Sequence, residues 1–385
     1  MKKILVIHNE YREYGGEDNA VKKEINFLKL NSNYKVNEII FSNDSASFIQ
    51  ILKLFIFNSS KQANKKILNK ISEFNPDLIY IHNTWFYIFT KIFKILNKGN
   101  YKVAIKLHNF RYSCTDSVLA KNHFKGKNFC RGCGNQRRDM RILNKYYLDS
   151  IVKSIFVLIY GKSYIKVIKN NNFKLVVLTN FHKKFLIEKY NIDENNIYII
   201  PNYLDIMKVN SISKKDQILY AGRISKQKGV KTILEEFLKS ELKKFKIVIF
   251  GDGPELKKIK SEYESERVIF RGIRDNNEVL EELSKSRCVI TGTKMNEGQP
   301  TLLCEASLIG IPSIFPNNGG INEFFPKNYE LMYDPNKTSS ILDKLNLLKN
   351  QSFLEENGKK NQKFIRNYLN EENIYDSFDK LINSK

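Results

Sequence analysis

The chain has 385 residues, 42% of them hydrophobic and 27% charged; that composition excludes a disordered or collagenous protein, and the length suggests two domains at roughly 100–200 residues each. The formal net charge of +23 is unevenly placed: residues 1–200 hold 34 basic and 15 acidic side chains, a net of +19, while residues 201–385 hold 30 and 26, a net of +4. Such asymmetry aims the first half at a polyanion, either nucleic acid or an anionic membrane.

The chain opens on Lys3–His8, predicted as a strand because its apolar run is too short for a secretion signal and no small-residue cleavage site follows. A cytoplasmic location is the simplest expectation. Helical spacing follows at Glu17–Lys29, a strand at Lys35–Phe41, helical stretches at Phe48–Phe57 and Lys61–Phe74, and a strand at Asp77–His82. Trp85–Leu96 reads as a helix and Lys102–Leu107 as a strand that ends at His108. Residues 111–140 break this rhythm with cysteines, glycines and arginines; Lys145–Ile168 is basic and amphipathic, Leu175–Leu178 a strand, Phe181–Tyr190 a helix and Tyr198–Pro201 the close of the series. A fresh series begins with the strand Gln217–Ala221 and the helix Val230–Phe237, then the strand Lys246–Phe250 and a helix over Glu255–Tyr263. Val268–Phe270, Cys288–Thr291 and Ser313–Phe315 are short strands, Glu305–Ile309 is helical, and Leu354 to Ile382 is largely so. Two successive βα series joined near 202–215 predict two Rossmann-like domains. No apolar run approaches the ~20 residues that span a bilayer; the longest is Ile155 to Tyr160.

Four segments could carry chemistry, all at strand ends, where open α/β sheets bind ligands. In Glu297-Gly-Gln-Pro-Thr-Leu-Leu-Cys-Glu305 a strand ends, a glycine turn follows and a helix starts. The free amides of a helix start favour phosphate, and a carboxylate that accepts two hydroxyl hydrogen bonds holds a sugar diol. The alternative is a capping glutamate and a solvent-facing one. Gly222-Arg223 through Lys228-Gly229 sets two cations five residues apart beside another helix start, a pairing suited to a diphosphate or, more plainly, a basic surface turn. Tyr14-Gly15-Gly16-Glu17 lets backbone approach a ligand but lacks the full dinucleotide fingerprint. His108 is either a ligand contact or a hydrogen-bonded structural histidine.

In their order and spacing these segments resemble the retaining nucleotide-sugar glycosyltransferases of family 4. The resemblance runs over nearly the whole chain. It takes in Gly15–Gly16, His108, the Ile200-Pro-Asn-Tyr203 hinge entry, Gly222-Arg…Lys228-Gly, Phe250-Gly-Asp-Gly-Pro254, Phe270-Arg-Gly272 and the pair Glu297 and Glu305. It implies an α/β, GT-B fold, with two Rossmann-like domains facing each other across a deep cleft. Residues 1–205 would hold the acceptor, residues 206–370 the donor, and a terminal helix over 371–385 would return to the first domain. Arg223 and Lys228 would bind the donor diphosphate and Glu305 the ribose. Glu297, with Gly298, Thr301 and the amides between them, would hold the transferred sugar. Gly15 and Gly16 would close over the phosphates, and His108 would line the acceptor side. The family implies metal independence, with no cofactor beyond the nucleotide-sugar substrate. Gln299 departs from the hydrophobic or aromatic residue common there, which bears on sugar specificity.

The activity so implied is hexose transfer from a UDP- or GDP-sugar to an acceptor hydroxyl. A saccharide or lipid-linked saccharide of a bacterial surface polysaccharide is the expected acceptor, and an anionic membrane surface a further partner. Rival readings are a sugar-nucleotide epimerase or phosphorylase of the same fold, or a basic nucleic-acid-binding protein. The Arg223–Lys228 and Glu297–Glu305 pairs weigh against the first; for the second no recognition signature appears, so no nucleic acid is expected. Cys114, Cys130 and Cys133 with His123 offer four soft ligands to zinc, but reduced thiols are the favoured reading of these cysteines and a disulfide the least favoured. Cys288 and Cys304 sit in apolar surroundings and read as core.

Overall fold

The computed structural model describes residues 1–11, 15–43, 54, 57, 59–110, 112–113, 150–170, 172–205, 213–337 and 340–384. These form two compact units. One runs to Leu204 and takes in the chain from Glu371 onward; the other is Asp205–Asn370. The four candidate zinc ligands, the start of the 145–168 segment and nearly all of Phe48–Phe57 lie outside the described residues.

In the first unit β1 (Lys2–Glu10), α1 (Gly16–Leu30), β2 (Tyr34–Ser42), α2 (Lys61–Phe74), β3 (Leu78–Ile81), α3 (Lys91–Lys98) and β4 (Val103–Leu107) alternate. They are followed by α4 (Ile151–Ile168), β5 (Phe173–Val177), α5 (Asn180–Tyr190) and β6 (Ile197–Ile199). The strands are parallel in the order β2-β1-β3-β4-β5-β6. Strands covered on both faces need apolar side chains in both directions, and Ile4 to Ile7 and Leu78 to Ile81 are buried without a polar interruption.

The helix read from Trp85 begins only at Lys91. Side-chain groups of two asparagines hold the backbone before it: Asn83 accepts from the Trp85 amide at 2.9 Å, and Asn43 accepts from the Phe86 amide at 3.2 Å while donating to the Trp85 carbonyl at 3.1 Å. Those bonds compete with a helical ladder, and Phe89 is left-handed, at φ 63°.

The second unit contains β7 (Gln217–Ala221), α6 (Val230–Lys239), β8 (Lys246–Phe250), α7 (Leu256–Tyr263), β9 (Val268–Gly272), α8 (Asn276–Lys285) and β10 (Cys288–Ile290). It continues through α9 (Thr301–Leu308), β11 (Ser313–Pro316), β12 (Met332–Tyr333), α10 (Ser340–Asn346) and α11 (Gln351–Tyr368). Its parallel sheet runs β9-β8-β7-β10-β11-β12, the doubly wound order whose crevice opens between the first and fourth strands. Helices α8 and α10 and strand β12 were not read from sequence.

The last helix, α12 (Glu371–Asn383), belongs to the first unit. Its Ile374, Phe378, Leu381 and Ile382 join Ile4, Val6, Ile25, Phe27 and Leu78 in one buried cluster. Tyr375 stacks on Phe27 with centroids 4.2 Å apart, and Tyr34 donates to Asp379 at 2.6 Å.

Candidate active site

The loops after β7 and β10 flank the reversal point of the second sheet, and the sequence-read residues of this half lie on them or just beyond. Gly229 sits at φ +68°, where a Cβ would lie 2.1 Å from the Gly292 carbonyl oxygen. Only glycine lets these two loops meet so closely. The contact is continued by the Lys294 amide, which donates to the Gln227 carbonyl at 2.7 Å.

Across this junction Lys228 Nζ donates to Glu297 Oε1 at 2.6 Å, and Thr293 Oγ1 donates to the same oxygen at 2.8 Å. Burial pushes the Glu297 carboxyl upward, but the Lys228 charge and the two hydrogen bonds outweigh it and hold the group below its ordinary range. Glu297 is therefore an anion at neutral pH, and its Oε2 accepts no hydrogen bond from the described residues.

The Glu297 backbone is pinned from β11. Gly320 donates to its carbonyl at 2.9 Å, and Gly319, at φ +64°, lies where a Cβ would stand 2.6 Å from the Glu297 nitrogen. Asn318 Nδ2 adds a bond to the Thr293 carbonyl at 2.9 Å. Gly298 and Gln299 lead into Pro300, and α9 starts at Thr301, four residues earlier than its spacing suggests. Leu303 to Leu308 are all buried, so no polar face marks that first turn in the sequence. The first-turn amides, Thr301 among them, lack intrahelical partners and face the loop with the positive end of the helix dipole. Glu305, in the second turn, is buried and accepts from Asn276 Nδ2 at 3.2 Å. Arg223 is exposed, with no ion-pair partner among the described residues.

Thr293, Asn276, Asn318 and Gly319 were missed from sequence. Asp275, whose side chain accepts from the Glu278 amide at 2.9 Å, marks the start of α8 as an Asp-x-x-Glu cap, and that signal would have placed Asn276. Nothing in the spacing singles out Thr293.

In the first unit the Gly15–Gly16 segment opens α1, yet a carboxylate from the protein already occupies that helix start. Asp18 Oδ2 accepts from the Gly15 amide at 2.9 Å, and Oδ1 lies 2.8 Å from His8 Nε2. Gly15 has φ −138°, so the loop does not draw on the left-handed freedom of glycine there, and a Cβ at Gly16 would meet nothing within 4 Å. His108 is half-buried at the end of β4, its Nε2 2.9 Å from His82 Nδ1. Beneath the histidines Lys106 donates to both oxygens of Glu24, at 2.9 and 2.8 Å, in a fully buried pair that Tyr80 also joins.

The family model for glycosyl transferases group 1 matches residues 204–369. The chain is 29% identical over 153 residues to the amylovoran biosynthesis glycosyltransferase AmsD of Erwinia amylovora, a match covering 37% of this chain and 42% of that protein. It is 23% identical over 318 residues to an uncharacterized 41.2 kDa protein in the cps region of Klebsiella pneumoniae, covering 80% and 78% of the two chains. A putative teichuronic acid biosynthesis glycosyltransferase, TuaC of Bacillus subtilis, is 28% identical over 32% of this chain and 31% of its own. Among solved structures, sucrose-phosphate synthase from Thermosynechococcus elongatus superposes with a TM-score of 0.70 at 14% identity, covering 99% and 98% of the chains. HepE of Anabaena, solved in complex with UDP and glucose, gives 0.67 at 14% identity over the whole of both. Residues 204–369 therefore carry a glycosyl transferases group 1 domain, and the chain has the GT-B fold of these structures.

Proposed function

We propose that the chain is a retaining hexosyltransferase of family 4 that moves a sugar from a UDP- or GDP-sugar to a hydroxyl of a saccharide or lipid-linked saccharide, in the synthesis of a bacterial surface polysaccharide such as O-antigen, capsule or exopolysaccharide. The observation that carries this reading is the Lys228–Glu297 pair beside the start of α9, at the reversal point of a doubly wound sheet. A cation and a helix dipole there suit a diphosphate, while Glu297 Oε2, to which no described residue donates, suits a sugar hydroxyl. Two of the relatives carry names from amylovoran and teichuronic acid biosynthesis, which supports the polysaccharide setting.

In transfer, charge builds on the departing diphosphate as the bond to the anomeric carbon breaks. Lys228, Arg223 and the α9 amides would take up that charge in place of a metal ion, and Glu305 would fix the ribose. His108 would line the acceptor side. Lys228→Ala and Glu305→Gln should each weaken donor binding or turnover by about tenfold or more, the equivalent of losing one charge-assisted contact worth about 1.5–3 kcal/mol. Calorimetric titration with UDP and GDP checks the binding term, and unchanged affinity in both folded variants would remove the donor from this site.

An anionic membrane is the second partner of this reading. On α4, Ile151, Val152, Ile155 and Ile159 are exposed, Val152 by 52% and Ile159 by 42%, while Val157, Leu158, Tyr160, Tyr164 and Ile168 pack inward. Lys162, Lys166 and Lys169 continue the exposed side. Apolar side chains beside lysines suit the headgroup boundary of an anionic bilayer. No helix among the described residues is long and apolar enough to cross a membrane.

A further inference from the structure

The C-terminal ends of β1, β3 and β4 gather three histidines at the reversal point of the first sheet. The His82 and His108 rings are 23° from coplanar with centroids 5.2 Å apart, joined by the 2.9 Å contact between Nδ1 and Nε2. His8 stands edge-on to His82 at 6.2 Å and is held by Asp18 on α1; Tyr80 lies edge-on to His82 at 4.6 Å. Lys106 on β4, held by Glu24 on α1, and His8 bear electrostatically on both rings, and His182 on α5 bears on that of His108. The two remaining nitrogens, His82 Nε2 and His108 Nδ1, are buried and have no hydrogen-bond partner among the described residues.

One hydrogen bond between two imidazoles needs one N–H and one lone pair. A neutral pair therefore keeps one proton between the rings and one on a single outer nitrogen. A third proton would have to sit on a buried nitrogen with no acceptor, beside the Lys106 charge. Burial first, and then the neighbouring positive groups, hold both histidines well below the ordinary value of 6.5.

We propose, resting on the glycosyl-transfer reading of the chain, that His82 is a positioning residue for His108: the inter-ring hydrogen bond fixes the orientation and the tautomer of the His108 imidazole, whose half-exposed edge would line the acceptor side. His82 acts through its neighbour and touches no reacting atom.

His82→Ala and His82→Gln decide the matter, with folding of each checked by circular dichroism. His82→Ala should lower kcat by roughly tenfold or more while the KM for donor stays within about twofold, comparable to the roughly 10–100-fold losses when the partner that orients a metal-bound histidine is removed. His82→Gln, whose amide can supply the same bond, should recover most of that loss. Nitrogen-15 imidazole spectra of the protein without substrate should show His82 and His108 both neutral at pH 6.5, and His108 should change tautomer ratio in His82→Ala. A folded His82→Ala with wild-type kcat and an unchanged His108 spectrum would overturn the proposal. So would a His82→Gln as impaired as the alanine variant, or a charged pair at pH 6.5. If no sugar donor were turned over, the transfer reading would fall, and the spectra would still judge the pair.

Discussion

Glu297 owes its charge to its neighbours. Lys228 and Thr293 both bond one oxygen of its carboxylate, and their pull exceeds the opposing effect of burial. A carboxyl whose folded value lies below its unfolded one adds stability that is complete above the unfolded value and fades as pH falls through the folded value. The stability difference between wild type and Glu297→Gln, read from urea unfolding, should be constant above about pH 4.5, the ordinary glutamate value, and shrink only in more acid solution. A difference that already shrinks above that value would contradict the ion pair. The glutamates and cations of this site were legible in sequence as residue types at strand ends. Their grip on one another was not, since Lys228 and Glu297 meet only after the chain has gone from β7 to β10. Thr293 and Asn318 carry no pattern of their own and gain meaning only from that meeting.

Among the elements, strands were read most accurately where burial on both faces forces a continuous apolar run: Gln217–Ala221 and Lys246–Phe250 match β7 and β8 residue for residue. Helix starts were harder, because they are set by side chains distant in sequence, such as Asn43 holding the backbone ahead of α3, or hidden by full burial, as in α9. The loop after β7 depends on Gly229. In Gly229→Ala the new methyl would face the Gly292 carbonyl at 2.1 Å in a left-handed backbone, a strain of at least about 1–2 kcal/mol before the clash is counted. The variant should melt several degrees lower and lose donor affinity in parallel; wild-type melting would mean that the two loops can part freely. Helix α4 bears on the membrane reading through its exposed face. Co-sedimentation with anionic vesicles should be salt-sensitive, absent on neutral vesicles, and weakened by Ile155→Asp with Ile159→Asp. Equal recovery on both lipids, or on neither, would reject that role.

At the scale of the whole molecule, the first unit is closed by the end of the chain. Phe378 is fully buried among residues of β1, α1 and β3, so Phe378→Ala should cost about 3–5 kcal/mol. Trp85, the one tryptophan of the sequence, lies in this unit, and its fluorescence should report the shifted transition; an unshifted one would mean that α12 adds nothing to this core. The two βα series, and hence the two units, were legible from alternation alone. The order of strands was not, because parallel pairing is decided by crossovers that leave no local mark on the sequence.

The most direct test of the central claim, that the second unit binds and opens a nucleotide sugar, is to follow nucleotide release from a panel of UDP- and GDP-sugars with an oligosaccharide acceptor, in wild type and in Lys228→Ala. Release from at least one donor, dependent on acceptor, unaffected by EDTA and lowered about tenfold or more in the variant, is the predicted result. No release from any donor, release that requires added Mg²⁺ or Mn²⁺, or equal rates in the two proteins would contradict it.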